Sequence, residues 1–458
     1  MSAKTKKWDG MTEKLVSYAE GVSFDRLPAE VVHQAKRRLI DTFASALGAY
    51  DEPLAQMSRK VAERSRGEPG ASVWGSTITS TPEAAAFANG VMVRLLDISD
   101  TYLGKSRGHP SDMTSGLIAL AQSAGADGKS LLAAQVLAYD VYCSFCKEVD
   151  INSKGWDQPV YSVLGCVLGA AKLLGLDRDA TANAISLALA PNMALAQARR
   201  GHLSSWKGCA GANASRNAVF AATLAQDGFT GPTAVFEGDG GLFHAIGRFE
   251  WPLPAGAHMI GETHIKALPV CYHGQSPVEA AIGMKPRVDT AKIEAIEIDT
   301  YNTAVMMMGG DPSRWAPTTR ETADHSLPYC VSVALLDGKV TNESFADARL
   351  SDPDIARLMA KVKVREDKTL SALYPDGSPG RVTLRMQSGE TLVEELQYPK
   401  GHAKSVMTDA EVEHKFRGLA GTQLGERGCD AVLKAVWALE GSKDVGRDVV
   451  ALLAPSGS

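Results

Sequence analysis

The chain has 458 residues, of which 45% are hydrophobic and 22% charged, and its formal net charge at pH 7 is -5. This length predicts two or three domains with a sizeable buried core. The acidic balance argues against nucleic acid or an anionic membrane as a partner. No apolar run reaches the roughly 18–20 residues of a membrane span, and no apolar signal core follows the basic N-terminus, so we expect a cytoplasmic protein.

The first half of the chain has the apolar spacing of helices. From Met11 to about residue 230, apolar residues recur at three- and four-residue steps, as in Val31, Ala35 and Leu39. Several segments are rich in Ala, Leu and Gly on all sides, which predicts helices buried inside a bundle. The predicted helices include 84–96, 116–124, 130–142, 166–176 and 180–190, with C-caps at Gly125, Gly175 and Gly228.

After about residue 255 the pattern changes to the alternation typical of strands. A β-favouring run begins at Ile293, and apolar residues alternate with polar ones over 362–364, 382–386 and 392–398. Residues 387–390 are predicted to join the last two strands as a hairpin. Helical segments interleave at 276–284 and 325–336. This part of the chain is therefore predicted to be α+β.

The helical pattern returns after His402, over 409–419 and 429–439. The predicted fold class is mainly α with an α+β insert, that is, a large all-helical domain plus a smaller α+β domain. We expect the first part of the helical domain in residues 1–268, the α+β domain in 269–404, and the C-terminal helical return in 405–458.

The seven cysteines are odd in number and dispersed, which favours reduced thiols over a disulfide framework. Cys143 and Cys146 form a C-x-x-C pair, but no second pair stands at zinc-ribbon spacing and the flanking sequence is helical. We interpret the pair as buried helix cysteines. No ligand set at metal spacing is visible, and the Gly-rich segments at 237–241 and 308–311 match no nucleotide-binding motif, so we expect no metal and no other cofactor.

Five polar motifs interrupt the apolar pattern. In chain order they are Arg94-Leu95-Leu96-Asp97-Ile98-Ser99-Asp100-Thr101 followed by Gly108-His109-Pro110-Ser111-Asp112; Ser205-Trp206-Lys207-Gly208 through Arg216; Lys266-Ala267-Leu268-Pro269 through Gln275; Thr319-Arg320-Glu321 through Tyr329; and Tyr398-Pro399-Lys400 through Lys404.

Together these motifs resemble the signature of the MmgE/PrpD family, which includes 2-methylcitrate dehydratases, cis-aconitate decarboxylases and iminodisuccinate epimerases. The resemblance spans nearly the whole chain. It implies an MmgE/PrpD-like fold with the active site in a cleft between the domains. It also implies a homodimer and a small anionic di- or tricarboxylate substrate.

His109 is the first candidate for a catalytic base. A Gly/Pro turn holds a side chain outside regular structure, and histidine is suited to proton transfer near neutral pH. Lys207 is the candidate cation for the charge that develops on a carboxylate. The alternatives are a histidine that only satisfies a turn and a solvated helix lysine. Asp97 is expected to orient one of these groups or to bind a substrate hydroxyl, and the resemblance places Asp97 and Thr101 in the substrate pocket.

The remaining candidates complete the predicted site. His273 is a further catalytic candidate, with a domain-interface histidine as the alternative. We interpret Asp100 and Asp112 as helix-capping residues, and His325 beside Asp324 as a capped helix start with a catalytic role as the alternative. Arg199, Arg200 and His202 add positive charge near Lys207, unless they form a solvated turn. The predicted substrate-binding residues are Thr101, Arg200, Gln158, Tyr161 and Gln275.

Two positions depart from the family pattern. Members often have a histidine in the 155–158 segment, where this chain has Asp157 and Gln158, and many have one where Cys271 stands. These histidines are the candidates for a second acid–base group. Tyr161 or Lys207 could replace it.

The sequence thus predicts a cofactor-free lyase that removes a proton next to a carboxylate, similar to 2-methylcitrate dehydratase. The alternatives in the same family are an epimerase, which the missing histidines would suit, and a cis-aconitate decarboxylase. A non-enzymatic helical binding protein is the alternative outside it.

Overall fold

The computed structural model describes residues 8–200 and 203–455, so that His202 and the basic N-terminal residues lie outside the described part. The chain divides into two compact units. The first unit comprises the residues up to Leu95, Ser99–Thr263 and the residues from Thr408 onward. The second comprises Leu96–Ile98 and His264–Met407.

The first unit is helical. Its helices are α1 (Gly10–Gly21), α2 (Ala29–Gly48), α3 (Pro53–Glu63), α4 (Pro82–Leu95), α5 (Thr114–Ser123), α6 (Gly128–Glu148), α7 (Pro159–Leu173), α8 (Arg178–Leu189), α9 (Trp206–Gln226), α10 (Leu242–Ile246), α18 (Asp409–Trp437) and α19 (Val445–Asp448). Two short antiparallel hairpins accompany them: β1 (Ala71–Ser72) with β2 (Thr79–Ser80), and β3 (Tyr102–Leu103) with β4 (Arg107–Gly108).

Small residues let these helices pack closely. Helix α4 packs against α9, α6 against α7, and α2 against α18. At Gly90 of α4, a side chain would lie 2.8 Å from the Cβ of Ala212 on α9, so only glycine permits this approach. The three predicted C-capping glycines have positive φ, and Gly425 interrupts α18 between the two helices that the sequence predicts there.

The second unit combines helices with a sheet. Its helices are α11 (Gln275–Met284), α12 (Asn302–Met308), α13 (Arg320–Ala323), α14 (Leu327–Asp337), α15 (Asp347–Leu350), α16 (Pro353–Met359) and α17 (Lys368–Ser371). Its strands are β5 (Ile293–Thr300), β6 (Val362–Glu366), β7 (Gly380–Met386) and β8 (Thr391–Leu396).

The sheet order is β6-β5-β7-β8, with β5 and β6 parallel and the other pairs antiparallel. Apolar residues of β5 and β7 point to one face, where α11 and α14 pack to form the core of this unit. The predicted fold class, mainly α with a smaller α+β part, is confirmed. No helix in the described part of the chain is long and apolar enough to cross a membrane.

Candidate functional site

His109 lies directly after β4 and before a short 3-10 helix, Pro110–Met113, in the helical unit. Its Nδ1 is 2.8 Å from the backbone carbonyl oxygen of Asp100, and its Nε2 is 2.8 Å from Nη2 of Arg94. A carbonyl only accepts and a guanidinium only donates. The two contacts therefore describe a neutral imidazole with its proton on Nδ1 and its lone pair on Nε2.

Asp100 provides a rigid support for this imidazole. Its carboxylate accepts hydrogen bonds from the backbone N–H of Ser111 and from the Tyr139 hydroxyl, both at 2.9 Å. Burial raises the pKa of Asp100, while these hydrogen bonds oppose the increase. The side chain is fully buried. Asp100 therefore has a structural role, and its carbonyl fixes the tautomer of His109.

Two predicted substrate-binding residues, Thr101 and Gln158, approach Gly108, the residue before His109. The Thr101 hydroxyl donates to the carbonyl of Gly108 at 2.9 Å. A side chain at Gly108 would lie 2.9 Å from Oε1 of Gln158, so that Gln158 approaches the same turn. Both side chains are buried. Gln158 also accepts a hydrogen bond from the Tyr142 hydroxyl.

Asp112 has a different role from the helix cap that the sequence suggests. The N-cap of α5 is Met113, and the Asp112 carboxylate instead accepts a hydrogen bond from Nε2 of Gln158 at 2.7 Å. Its Oδ1 has no hydrogen-bond partner among the described residues. Burial raises the pKa of Asp112 to about 6, against the opposing charge of Arg94 and the bond from Gln158.

We predict that Asp112 makes the protein less stable as the pH rises. A carboxyl group whose pKa is about 6 in the folded chain and 3.8 in the unfolded chain stabilises the fold most below pH 3.8. This contribution, up to about 3 kcal/mol, is lost as the pH rises through 6. Urea unfolding of Asp112→Asn should show a weaker loss of stability between pH 4 and 7 than the wild type. Parallel pH curves for the two proteins would contradict this.

Lys207 lies in the first turn of α9 and is buried. Arg199 approaches its turn, with Nη1 3.5 Å from the Lys207 carbonyl oxygen, and also binds both carboxylate oxygens of Asp157 through Nε, at 2.7 and 2.9 Å. Arg200 is exposed and donates to the carbonyl of Asn152 at 2.9 Å. The structure thus connects Lys207 with the 157–158 segment, whereas Arg200 lies on the surface.

Tyr161 is fully buried in α7. Its hydroxyl donates to the Val149 carbonyl at 2.6 Å, and its ring packs edge-on against Tyr142 and Phe145. Burial raises its pKa well above the ordinary range of tyrosine. These contacts are those of a structural residue, and its predicted substrate contact stays a prediction.

The second unit contains a buried cluster around Asp97. The ammonium group of Lys266 binds the Asp97 carboxylate and lies 2.7 Å from the Asp97 carbonyl oxygen. Both residues are 1% exposed. Asp97 has a φ of 51°, in the left-handed region that few residues other than glycine adopt. The backbone is therefore held in a strained conformation, in which the carbonyl oxygen and one carboxylate oxygen of Asp97 contact the same ammonium group.

His325 and Cys271 extend this cluster. Nδ1 of His325 is 2.5 Å from a carboxylate oxygen of Asp324, and Nε2 is 3.6 Å from the Asp97 carboxylate. Burial raises the pKa of the Cys271 thiol, but the nearby His325 lowers it, so that the net direction is downward. The cluster therefore contains two carboxylates, an ammonium group, an imidazole and a thiol.

His273 and Gln275 lie in the same unit, with other partners. Nδ1 of His273 is 2.5 Å from the Tyr301 hydroxyl, and the Tyr301 ring stacks on Tyr374. The Gln275 side chain donates to the Leu268 carbonyl at 2.8 Å and accepts from the Leu268 N–H at 3.2 Å. The Gln275 side chain thus holds the backbone of the preceding loop at Leu268. A substrate contact of either residue stays a prediction.

Two models of one protein family match most of this sequence. The MmgE/PrpD N-terminal domain matches residues 13–251, and the MmgE/PrpD C-terminal domain matches residues 268–439. The chain belongs to the MmgE/PrpD family. Because its curated relatives are dehydratases and decarboxylases, it is an enzyme.

Three relatives of this MmgE/PrpD enzyme illustrate the range of similarity. A 2-methylcitrate dehydratase from Cupriavidus necator is 30% identical over 81% of each chain. A 2-methylcitrate dehydratase from Escherichia coli (strain K12) is 28% identical over 80% of this chain and 81% of its own. The human cis-aconitate decarboxylase is 25% identical over 97% of this chain and 95% of its own.

Two charged residues of this MmgE/PrpD chain, Arg94 and Lys266, received no site role from the sequence. Arg94 lies in the last turn of the mostly apolar helix α4, and Lys266 is buried in a loop. A buried charge requires a partner or a function. A charge in a segment predicted to be buried is thus the signal that could have identified both residues.

The Asp97 cluster also bears on metal binding. Asp97, Asp324 and His325 offer ligand atoms within 4.8 Å of one another in the described part of the chain. The Lys266 ammonium group already supplies a positive charge to Asp97, and a divalent cation would have to overcome its repulsion. We therefore do not identify a metal site here, and metal independence stays a prediction.

Proposed function

We propose that this enzyme is a hydro-lyase that removes a proton next to a carboxylate of a small di- or tricarboxylate, with 2-methylcitrate as the first candidate substrate. The reaction would release water and leave a carbon–carbon double bond. The similarity to 2-methylcitrate dehydratases over four fifths of the chain supports this choice of substrate.

The contact between His109 and Arg94 carries the chemical part of the proposal. A base needs a free lone pair, and the hydrogen bond from Nδ1 to the Asp100 carbonyl leaves that lone pair on Nε2. The same Nε2 lies 2.8 Å from a guanidinium group, which binds carboxylates well. We infer that a substrate carboxylate takes over the N–H of Arg94 and so releases Nε2 for proton transfer.

Lys207 is the proposed cation for the charge that builds up on that carboxylate. It is 6% exposed, and a buried ammonium group interacts with an anion more strongly than one in water. Asp112 and Gln158 stabilise the turn that contains His109 through their 2.7 Å hydrogen bond. In this role Gln158 fixes the turn of His109, in addition to its predicted contact with substrate.

Decarboxylation of cis-aconitate is the second candidate. The observation that favours it is the similarity to the human cis-aconitate decarboxylase over 97% of this chain. Both reactions need a bound polycarboxylate and a proton-transfer group, but only decarboxylation releases carbon dioxide.

Turnover of a panel of acids, followed by proton NMR in deuterated water, tests the proposal. The panel contains 2-methylcitrate, citrate, cis-aconitate and a succinate-type amino acid. We expect a dehydrated product from 2-methylcitrate. Loss of a carboxylate from cis-aconitate would establish the second candidate, and recovery of unchanged substrate carrying deuterium would indicate an epimerase. Turnover of no acid in the panel, by protein with a cooperative unfolding transition, would overturn the proposal.

A further inference from the structure

The last of the five polar motifs, residues 398–404, forms a turn that packs on Ile265 within the second unit. The N–H of Gly401 donates to the carbonyl of Ser405 at 2.8 Å, and the N–H of Ile265 donates to the carbonyl of Gly401 at 3.0 Å. A side chain at Gly401, whose φ is 88°, would overlap the Ile265 carbonyl oxygen. The backbone of the turn therefore lies directly against the backbone of residue 265.

Two stacked histidine rings accept hydrogen bonds from the backbone of this turn. The ring centroids of His264 and His402 are 4.2 Å apart, with 15° between the ring planes. Nδ1 of His264 accepts the N–H of Ala403 at 3.1 Å, and Nδ1 of His402 accepts the N–H of Lys404 at 2.9 Å. A ring nitrogen that accepts carries a lone pair, so both imidazoles are neutral with their proton on Nε2.

The two imidazoles lie in the middle of a series of four aromatic rings. The His264 ring stacks on Tyr272 at 5.1 Å, and the His402 ring lies 4.8 Å from the ring of Tyr398. His264 is 5% exposed and His402 is 2% exposed. A charge on either ring would be withdrawn from water, and two charged rings at 4.2 Å would repel each other. The stack therefore favours neutral imidazoles.

The charged and titratable groups around the stack come from several segments of the unit. Burial lowers the pKa of His402 to about 4, the charge of Lys404 acts in the same direction, and Asp376 opposes both. Lys404 and Asp376 form an ion pair at 2.6 Å. At the other end of the stack, burial and the charge of Glu279 raise the pKa of Tyr272, which stays a neutral phenol. The surroundings of His402 thus oppose its charged form.

The turn also holds the residue that precedes Lys266. Ile265 is hydrogen-bonded to Gly401, and the next residue, Lys266, binds the carboxylate and the carbonyl of Asp97. These contacts lie within the second unit. Release of the turn would therefore free the backbone that carries the Lys266 side chain.

We propose that His264 and His402 form an acid-sensitive latch, which holds the 398–404 turn on Ile265 and so positions Lys266 against Asp97 while both rings are neutral. A proton on Nδ1 of either ring turns the acceptor into a donor, so the backbone N–H that faces it loses its partner. The latch therefore opens in acid and closes again when the proton leaves. This behaviour does not depend on which acid the enzyme converts.

The direction of the pH effect follows from His402. Its pKa is about 4 in the closed turn and has an ordinary value of 6.5, so the open turn binds the proton more tightly. The closed turn is therefore most stable above pH 6.5 and loses stability as the pH falls from 6.5 toward 4. Between pH 7 and 5, the ratio of closed to open turn should fall by about 10–30-fold.

Hydrogen exchange of the whole protein, followed by mass spectrometry of peptides that cover 264–267 and 400–405, measures this opening. After correction for the pH dependence of exchange in free amides, the protection of both peptides should fall by this factor between pH 7 and 5. A peptide from β7 is the internal reference and should keep its protection. An equal loss in β7 would mean that the whole unit opens, and constant protection of the two peptides would mean that nothing opens. Either result would overturn the latch.

Substitution of the rings identifies the group that titrates. His402→Asn keeps an acceptor near the position of Nδ1 but binds no proton in this pH range, so most of the acid loss should disappear. His264→Asn added to it should remove the remainder. His244→Gln, on the exposed side of α10, is the control and should respond to pH as the wild type does. An undiminished acid loss in the double variant would assign the effect to other groups and refute the proposal.

Lys404→Met tests the same latch without altering either ring, and it serves if the ring substitutions unfold the protein. The Lys404 side chain is about half exposed, and its charge opposes the protonation of His402. Without that charge, the pKa of His402 should rise toward its ordinary value, and the acid loss of protection should become smaller. An acid loss as large as that of the wild type would count against His402 as the titrating group.

Discussion

His109→Gln is expected to fold as the wild type does and to lose about 10²–10⁴-fold in kcat, the range of a general base. Glutamine can retain both contacts of the imidazole. Its amide N–H can donate to the Asp100 carbonyl, and its oxygen can accept from Arg94. It has no group that accepts a proton near neutral pH. The substitution therefore removes the basic lone pair and preserves the hydrogen bonds of the turn.

The measurement is steady-state turnover of the acid identified by the NMR panel, together with thermal unfolding. His244→Gln is the matched control because His244 is exposed on α10, and it should change neither quantity. Arg94→Gln should mainly raise KM, since it removes the proposed carboxylate contact. A His109→Gln enzyme with nearly full kcat would exclude His109 as the base, and Lys207 would be the next residue to substitute.

The secondary structure was predictable because its signals are local. The segment predicted as helix over 276–284 is α11, Gln275–Met284, and the alternation over 382–386 is the strand β7, Gly380–Met386. The short helices α12 and α16 were not predicted, since helices of seven residues carry too few apolar repeats to define a period.

The candidate site was only partly predictable, because its contacts join distant residues. The turn that presents His109 was evident from glycine and proline, but its partner Arg94 lies 15 residues earlier, at the end of a helix. Lys266 and Asp97 are 169 residues apart, and only the folded chain pairs them. The predicted cap at Asp112 was wrong because the chain forms a 3-10 turn there, which moves the start of α5 to Thr114.

Lys266→Met is expected to lower the free energy of unfolding by about 3–5 kcal/mol, as is typical when one partner of a buried ion pair is removed. The Lys266 side chain is fully buried, and it binds both the carboxylate and the carbonyl of Asp97. Methionine fills a similar volume but removes the ammonium group that the buried Asp97 carboxylate binds. It also leaves the strained backbone at Asp97 without the ammonium group that holds it.

Urea unfolding measures this loss, and a second substitution identifies its cause. Asp97→Asn added to Lys266→Met removes the buried carboxylate charge, so the double variant should regain most of the lost stability. Lys368→Met is the control in the same unit, because its ion pair with Glu366 is exposed and should contribute less than about 1 kcal/mol. If the double variant is as unstable as Lys266→Met alone, the packing of the lysine stem, and not its charge, is what stabilises this part of the fold.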